Sequence, residues 1–207
     1  MEIICHRGLW HQPEEQNNIS AFIRAHESGF GVELDVRDRD SQIVIAHNSP
    51  NNESVLFSVY LDELNHKKHT NHTIAINIKA DGLSGEIKSL IVKYNLSNYF
   101  TFDMSIPEML RYKNARLNYF PRLSEYETKF IMMDNASGIW LDAFKSEWYN
   151  KEYIDKLMRT DKHICVVSPE LHGRDHTHQW ALIKGFNDQN NLMLCTDKPN
   201  EAKEYFR

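Results

Sequence analysis

Cysteine is scarce in this chain, with 3 among 207 residues. Cys5, Cys165 and Cys195 are odd in number and stand in apolar runs. That excludes a disulfide framework and reads as reduced thiols in a core. No Cys/His spacing matches a structural zinc site. No apolar run approaches the roughly 20 residues a membrane span needs. Positive charge is in deficit, 24 Lys and Arg against 29 Asp and Glu, for a net charge of −5. No basic face therefore argues for nucleic acid, and no lysine cluster argues for a membrane surface. The first motif begins at His6, which leaves no room for a signal peptide. These absences together set a cytoplasmic expectation.

What is present is an ordinary globular composition without low-complexity tracts, at a length that predicts one domain over residues 1–207. Short apolar runs alternate with amphipathic stretches. Strands are expected at Glu2–Cys5, Gly31–Val36, Ile74–Ile78, Tyr99–Phe102, Ala115–Phe120, Gly138–Leu141, Ile164–Ser168 and Leu192–Cys195. Ile43–Ala46 follows the second strand too closely for a helix to intervene, so it reads as an extension. Ile19, Phe22, Ile23 and His26 keep helical spacing up to a stop at Gly29. Ile87, Leu90, Ile91 and Tyr94 do the same after a cap at Ser84. Further helices are expected near Pro107–Tyr112, Tyr153–Met158, His178–Lys184 and Asn200–Phe206. Strand–helix alternation over eight units predicts an α/β fold, a closed (β/α)8 TIM barrel, compact and with abbreviated helices. An open doubly wound sheet is the structural alternative, but no Gly-rich turn follows the first strand to support it.

On a barrel the functional rim lies at the C-terminal ends of the strands. His6 ends the first strand, and Glu33 and Asp35 share one face of the second, since strand side chains alternate. Asn77 and Lys79 share a face at the third; Asp103, Asp142 and Asp197 follow later strands, and Glu170 and His172 follow the seventh. Two carboxylates inside an apolar strand are costly to bury without a cation, and hard oxygen donors suit a divalent metal. The blander reading makes them strand caps or partners of Arg37. Arg7 offers a planar fork for phosphate, and Gly8 lets the backbone approach. Lys79, inward on a barrel strand, calls for an anion, a phosphate in preference to a structural ion pair. Of the other histidines, His66, His69 and His72 read as surface groups in a polar connection, and His11 and His26 have no evident partner.

The ordered set His6-Arg7-Gly8, Gln16-Asn17-Asn18-Ile19-Ser20-Ala21-Phe22, Gly31-Val32-Glu33-Leu34-Asp35-Val36 and Val44-Ile45-Ala46-His47-Asn48 resembles the glycerophosphodiester phosphodiesterase family. That family belongs to the phosphatidylinositol-specific phospholipase C-like superfamily of (β/α)8 barrels. The resemblance continues through Ile76-Asn77-Ile78-Lys79, Thr101-Phe102-Asp103, Pro121-Arg122-Leu123-Ser124-Glu125 and Cys195-Thr196-Asp197-Lys198-Pro199, so it spans essentially the whole chain. Val167-Ser168-Pro169-Glu170-Leu171-His172-Gly173-Arg174 resembles a compact bacterial branch.

The resemblance implies His6 and His47 as the acid/base pair, Glu33, Asp35 and Asn77 as ligands of Mg²⁺ or Ca²⁺, and Arg7 and Lys79 as the phosphate grip. Asn77 stands where the family usually has a third metal carboxylate, and Asn48 where an aspartate commonly follows the second histidine. Both departures imply a shifted substrate or a weaker enzyme, with Glu170 the alternative carboxylate to complete the metal shell. Glu170 and His172, with Trp10, Trp140, Trp148, Arg122 and Arg174, are the candidates for the alcohol side. The implied activity is hydrolysis of a small phosphodiester. The alternatives are a catalytically weak or inactive barrel that binds a phosphorylated ligand, and a lyase that stops at a cyclic phosphate. The expected partner is a small-molecule phosphodiester, without nucleic acid; the oligomeric state is not readable.

Overall fold

The computed structural model describes residues 1–67 and 71–207; the expectation for His69 lies outside the described residues. Ten strands form one sheet: β1 (Glu2–Cys5), β2 (Gly31–Arg39), β3 (Gln42–Ile45), β4 (Ile74–Ile78), β5 (Tyr99–Phe102), β6 (Tyr119–Phe120), β7 (Arg122–Leu123), β8 (Gly138–Leu141), β9 (His163–Val167) and β10 (Leu192–Thr196). The helices are α1 (Ile19–Glu27), α2 (Phe57–His66), α3 (Ser84–Lys93), α4 (Ile106–Asn114), α5 (Lys151–Met158), α6 (Thr177–Lys184) and α7 (Pro199–Tyr205). Among the described residues none is longer than 10 residues, which is how a (β/α)8 barrel fits a chain of this length. No helix among the described residues is long and apolar enough to cross a membrane.

The strand order is β6-β5-β4-β2-β1-β10-β9-β8-β7, all neighbours parallel, with β3 pairing antiparallel to β2. β6 and β7 are two halves of one stave, separated by Pro121, which has no N–H for the ladder. β6 pairs with β5 on one side and β7 with β8 on the other. The β8 segment donates to Tyr119 O (3.2 Å), Pro121 O (3.0 Å) and Leu123 O (2.8 Å), so the ladder runs on through the break and the barrel closes with eight staves.

Two elements differ from the sequence reading. The strand expected over Ala115–Phe120 begins only at Tyr119. Ala115 instead caps α4, and Arg116, at φ 54°, turns the chain so that Leu117 N–H bonds back to Tyr112 O at 3.0 Å. Helix α2 was not anticipated, although Phe57, Tyr60, Leu61 and Leu64 keep the helical period and are buried. Its N-cap, Leu56, offers no capping side chain, so the start signal is missing. His26 has a partner after all: its Nε2 lies 2.7 Å from the Tyr60 hydroxyl, joining α1 to α2.

Alternation decides what fills the barrel. Ile4, Ala75, Phe100, Phe102, Phe120, Trp140, Cys165, Val167, Met193 and Cys195 pack inside. Val32, Leu34, Ile74 and Ile76 point outward under the helices. Phe100 stacks on Phe120, and Phe102 on Trp140, each at 3.8 Å between centroids. Gly138 makes room for this aromatic stack: a Cβ there would sit against the Phe120 ring and 2.6 Å from His163 O. Gly138→Ala is therefore expected to destabilise by about 1–3 kcal/mol, the usual cost of overpacking a core. Denaturant unfolding checks it, and an unchanged midpoint would contradict the packing described.

Candidate active site

The site begins where β1 ends. His6 N–H bonds to Thr196 O at 3.1 Å, continuing the ladder, and then the chain turns sharply through Arg7 (φ 55°) and Gly8 (φ 91°). A Cβ on Gly8 would come within 2.9 Å of Ala21, so only glycine lets this turn lie against α1. The turn aims the Arg7 backbone N–H at Glu33 Oε2, 3.1 Å away. His6 Nδ1 lies 2.8 Å from Asp197 Oδ1, and His6 Nε2 lies 3.9 Å from Glu33 Oε2. Burial opposes charge on this imidazole. The bond to Asp197 and the charges of Glu33 and Asp197 outweigh burial and raise its pKa.

Glu33 and Asp35 are buried on the inner face of β2, as their spacing predicts. Glu33 accepts from Asn77 Nδ2 (3.3 Å) as well as from Arg7. Asp35 faces Arg7 Nε at 3.1 Å and Lys79 Nζ at 3.4 Å, and it accepts from Asn17 Nδ2 at 2.8 Å. Burial, and then the neighbouring charge of Asp35, push the Glu33 carboxyl up to about 7. Two carboxylates and an amide thus share one wall. One acceptor atom there, Asn77 Oδ1, is buried with no hydrogen-bond donor, and Asp35 Oδ1 has only the Lys79 ammonium 3.4 Å away. Buried acceptors are ordinarily satisfied, so an orphaned amide oxygen beside two carboxylates suits a hard divalent cation. Among the described residues no three His, Cys, Asp or Glu side chains gather as a metal cluster. The third protein oxygen of such a site would have to be an amide, as Asn77 provides.

Cations complete that wall. Lys79 Nζ lies 3.2 Å from Asp103 Oδ2, and Arg122 pairs with both Asp103 and Glu127. Lys79, Asp103 and Arg122 border a cavity of about 180 Å³ at the barrel mouth. Phe102 and Trp140 line it, as do Asp142, Phe144 and His172. His172 Nε2 is 2.7 Å from Asp142 Oδ1.

His47 stands elsewhere. It is exposed just after β3, with Nδ1 3.1 Å from Asn48 Oδ1, and it borders an outer cavity of about 450 Å³. Arg7 lines both cavities. Glu170 does not line the inner one. Its carboxylate accepts from Ser168, from Thr196 and from Asp197 N–H (3.1 Å), bracing the loop that carries Asp197 to His6. Of the alcohol-side candidates, Arg122, Trp140 and His172 line the inner cavity. Trp10 donates to His6 O (3.0 Å), Trp148 to Asp142 O (2.7 Å) and Arg174 to Ala143 O, so these three hold loop backbones. The sequence reading gave no role to Asn17 or Asp197. Asn17 holds Asp35 through two hydrogen bonds, from its amide N–H₂ and to its amide oxygen. The only signals were a place in the Gln16-Asn17-Asn18 run and a place after the last strand.

No family model matches the chain, and no curated protein matches it. Solved structures do match its fold. One from Galdieria sulphuraria, provisionally assigned as a glycerophosphodiester phosphodiesterase, aligns with a TM-score of 0.77 at 13% identity, covering 99% of this chain and 97% of its own. A glycerophosphodiester phosphodiesterase from Parabacteroides distasonis gives 0.70 at 14% identity, covering 99% and 96%. One from Agrobacterium tumefaciens gives 0.69 at 15% identity, covering 100% and 98%. Likeness at this level of identity establishes the fold. The chain is a (β/α)8 barrel similar over its whole length to glycerophosphodiester phosphodiesterase structures, as the motif resemblance implied.

Proposed function

We propose that this protein is a metal-dependent phosphodiesterase that hydrolyses a small, glycerophosphodiester-like substrate. The observation that carries the reading is the wall itself. Two buried carboxylates and an orphaned amide oxygen stand beside an imidazole and two cations at the mouth of one barrel. Glu33, Asp35 and Asn77 would hold Mg²⁺ or Ca²⁺. Such an ion supplies Lewis-acid neutralisation of phosphate charge and a lower pKa for the attacking oxygen.

This chain's own residues do the rest. Arg7 and Lys79 turn from Asp35 to the phosphate oxygens, a planar fork and a point charge for one dianion-like transition state. Water adds at phosphorus, His6 Nε2 takes its proton, and Asp197 keeps the ring in the orientation that leaves Nε2 free. The alcohol oxygen leaves with the P–O bonding pair and needs a proton. His47, which the resemblance makes the partner of His6, flanks Arg7 from the outer cavity. Three free, buried cysteines suit a reducing compartment, and cytoplasmic placement is part of the proposal.

The test is turnover of a diester panel after chelation and re-addition of Mg²⁺, Ca²⁺ or Mn²⁺, with products followed by phosphorus NMR. Turnover restored by metal, with a phosphomonoester as product, is the expected result. A cyclic phosphate would make the protein a lyase. The amides Asn77 and Asn48 favour a second reading, a barrel that binds a phosphorylated ligand without turning it over. Ligand-induced thermal stabilisation without turnover would select it.

A further inference from the structure

The inner cavity holds a second imidazole–carboxylate pair that the roles above leave unused. Asp142 is held from several directions. Its N–H bonds to Leu123 O (2.8 Å), its carbonyl accepts from Trp148 Nε1 (2.7 Å), and its Oδ1 accepts from Ala143 N–H (2.8 Å). The same Oδ1 lies 2.7 Å from His172 Nε2, and the His172 ring packs 4.9 Å from that of Phe144. A carboxylate at Nε2 takes that N–H, so in the imidazolium form the Nδ1–H is the proton left for the substrate. His6, which lines the same cavity, is held by Asp197 in the same way. His47 has a neutral amide, Asn48, at its ring and borders the outer cavity instead. Of the two imidazoles available for the second proton transfer, His172 is the one that shares a cavity with His6 and has a carboxylate to set its tautomer.

We propose that His172, oriented by Asp142, delivers the proton to the leaving alcohol oxygen, in preference to His47. This rests on the phosphodiesterase reading. The bond from phosphorus to the alcohol oxygen breaks, the oxygen keeps the pair and takes the proton from His172 Nδ1, and phosphorus gains the water oxygen whose proton goes to His6. Solvent then returns the proton to His172. Asp142 is a positioning residue in this scheme.

The experiment compares an alkyl diester with a nitrophenyl diester, whose phenolate leaves without needing a proton, in the Mg²⁺-supplied protein. His172→Gln is expected to lose about 10²–10⁴-fold in kcat/KM on the alkyl diester and only a few-fold on the nitrophenyl diester. The basic limb of the alkyl pH profile should vanish with it. Asp142→Asn is expected to move that limb, and to steepen the dependence of rate on leaving-group acidity, even should His172→Gln fold poorly. His47→Gln is expected to affect both substrates alike. Equal losses on both diesters in His172→Gln, or a selective loss in His47→Gln instead, would overturn the assignment and leave the phosphodiesterase reading standing. A wild type that turns over neither diester with any metal would remove that reading, and this proposal with it.

Discussion

Replacing His6 by alanine is expected to lower kcat on a small phosphodiester by about 10²–10⁴-fold, the scale of one lost acid–base group. The geometry makes His6 the single most exposed point of the mechanism. Its ring bridges Asp197 and Glu33 and lies beside Arg7, so it meets the phosphate site and the carboxylate wall together. Because the substitution keeps the backbone bond to Thr196 and removes only a ring that lines the cavity, the variant should fold. Its thermal midpoint should stay within a few degrees of wild type, and KM should change little. Asp197→Asn, which keeps the shape but weakens the orienting bond, should show a smaller loss. If His6→Ala retains near-normal turnover, the role given to His6 fails, whatever the metal requirement proves to be.

The largest expected effect on stability comes from Asp35. This carboxylate is fully buried and is the shared partner of Arg7 and Lys79. In Asp35→Ala, Arg7 keeps Gln16 and Lys79 keeps Asp103, but the charge that balances both in the wall is gone. Breaking a buried pair by removing one partner costs about 3–5 kcal/mol. For a domain of this size that lowers the midpoint by roughly 6–20 °C, read by thermal unfolding in chelator.

Glu33 should behave oppositely in the same assay. Its carboxyl is pushed up to about 7 by burial and by Asp35. The folded state therefore binds more protons than the unfolded one between the ordinary carboxylate value and about 7, and stability is lost as pH rises through that window. Glu33→Gln removes this burden, so at pH 8 the metal-free variant should melt no lower than wild type. Both variants should lose metal binding. A matched loss of stability would show that the wall is not built as described.

Much of this site was legible in one sequence because it depends on period and position. Two-residue spacing put Glu33 with Asp35, and Asn77 with Lys79, on single strand faces. Strand ends put His6, Asp142 and Asp197 at one rim. The short helices followed from eight units in a chain of this length. Helix α2 was missed because its period is present but its cap is not. The fifth stave was misplaced because the apolar Ala115 and Leu117 belong to the turn that ends α4, and Pro121 divides the true strand.

Partnership was not legible, because it is made by closure of the barrel. Asp197 reaches His6 only because β10 pairs with β1 across 191 residues of sequence. Glu170 turns to Ser168, Thr196 and Asp197 because β9 and β10 are neighbours and end with open N–H and O–H groups side by side. His47 faces the outer cavity because β3 pairs antiparallel to β2 and lies off the barrel ring. Local covalent order sets which face a side chain takes and where a strand stops, since both follow from backbone geometry within a few residues. Which charges then meet is decided by contacts between residues far apart in the chain, and those exist only in the folded barrel.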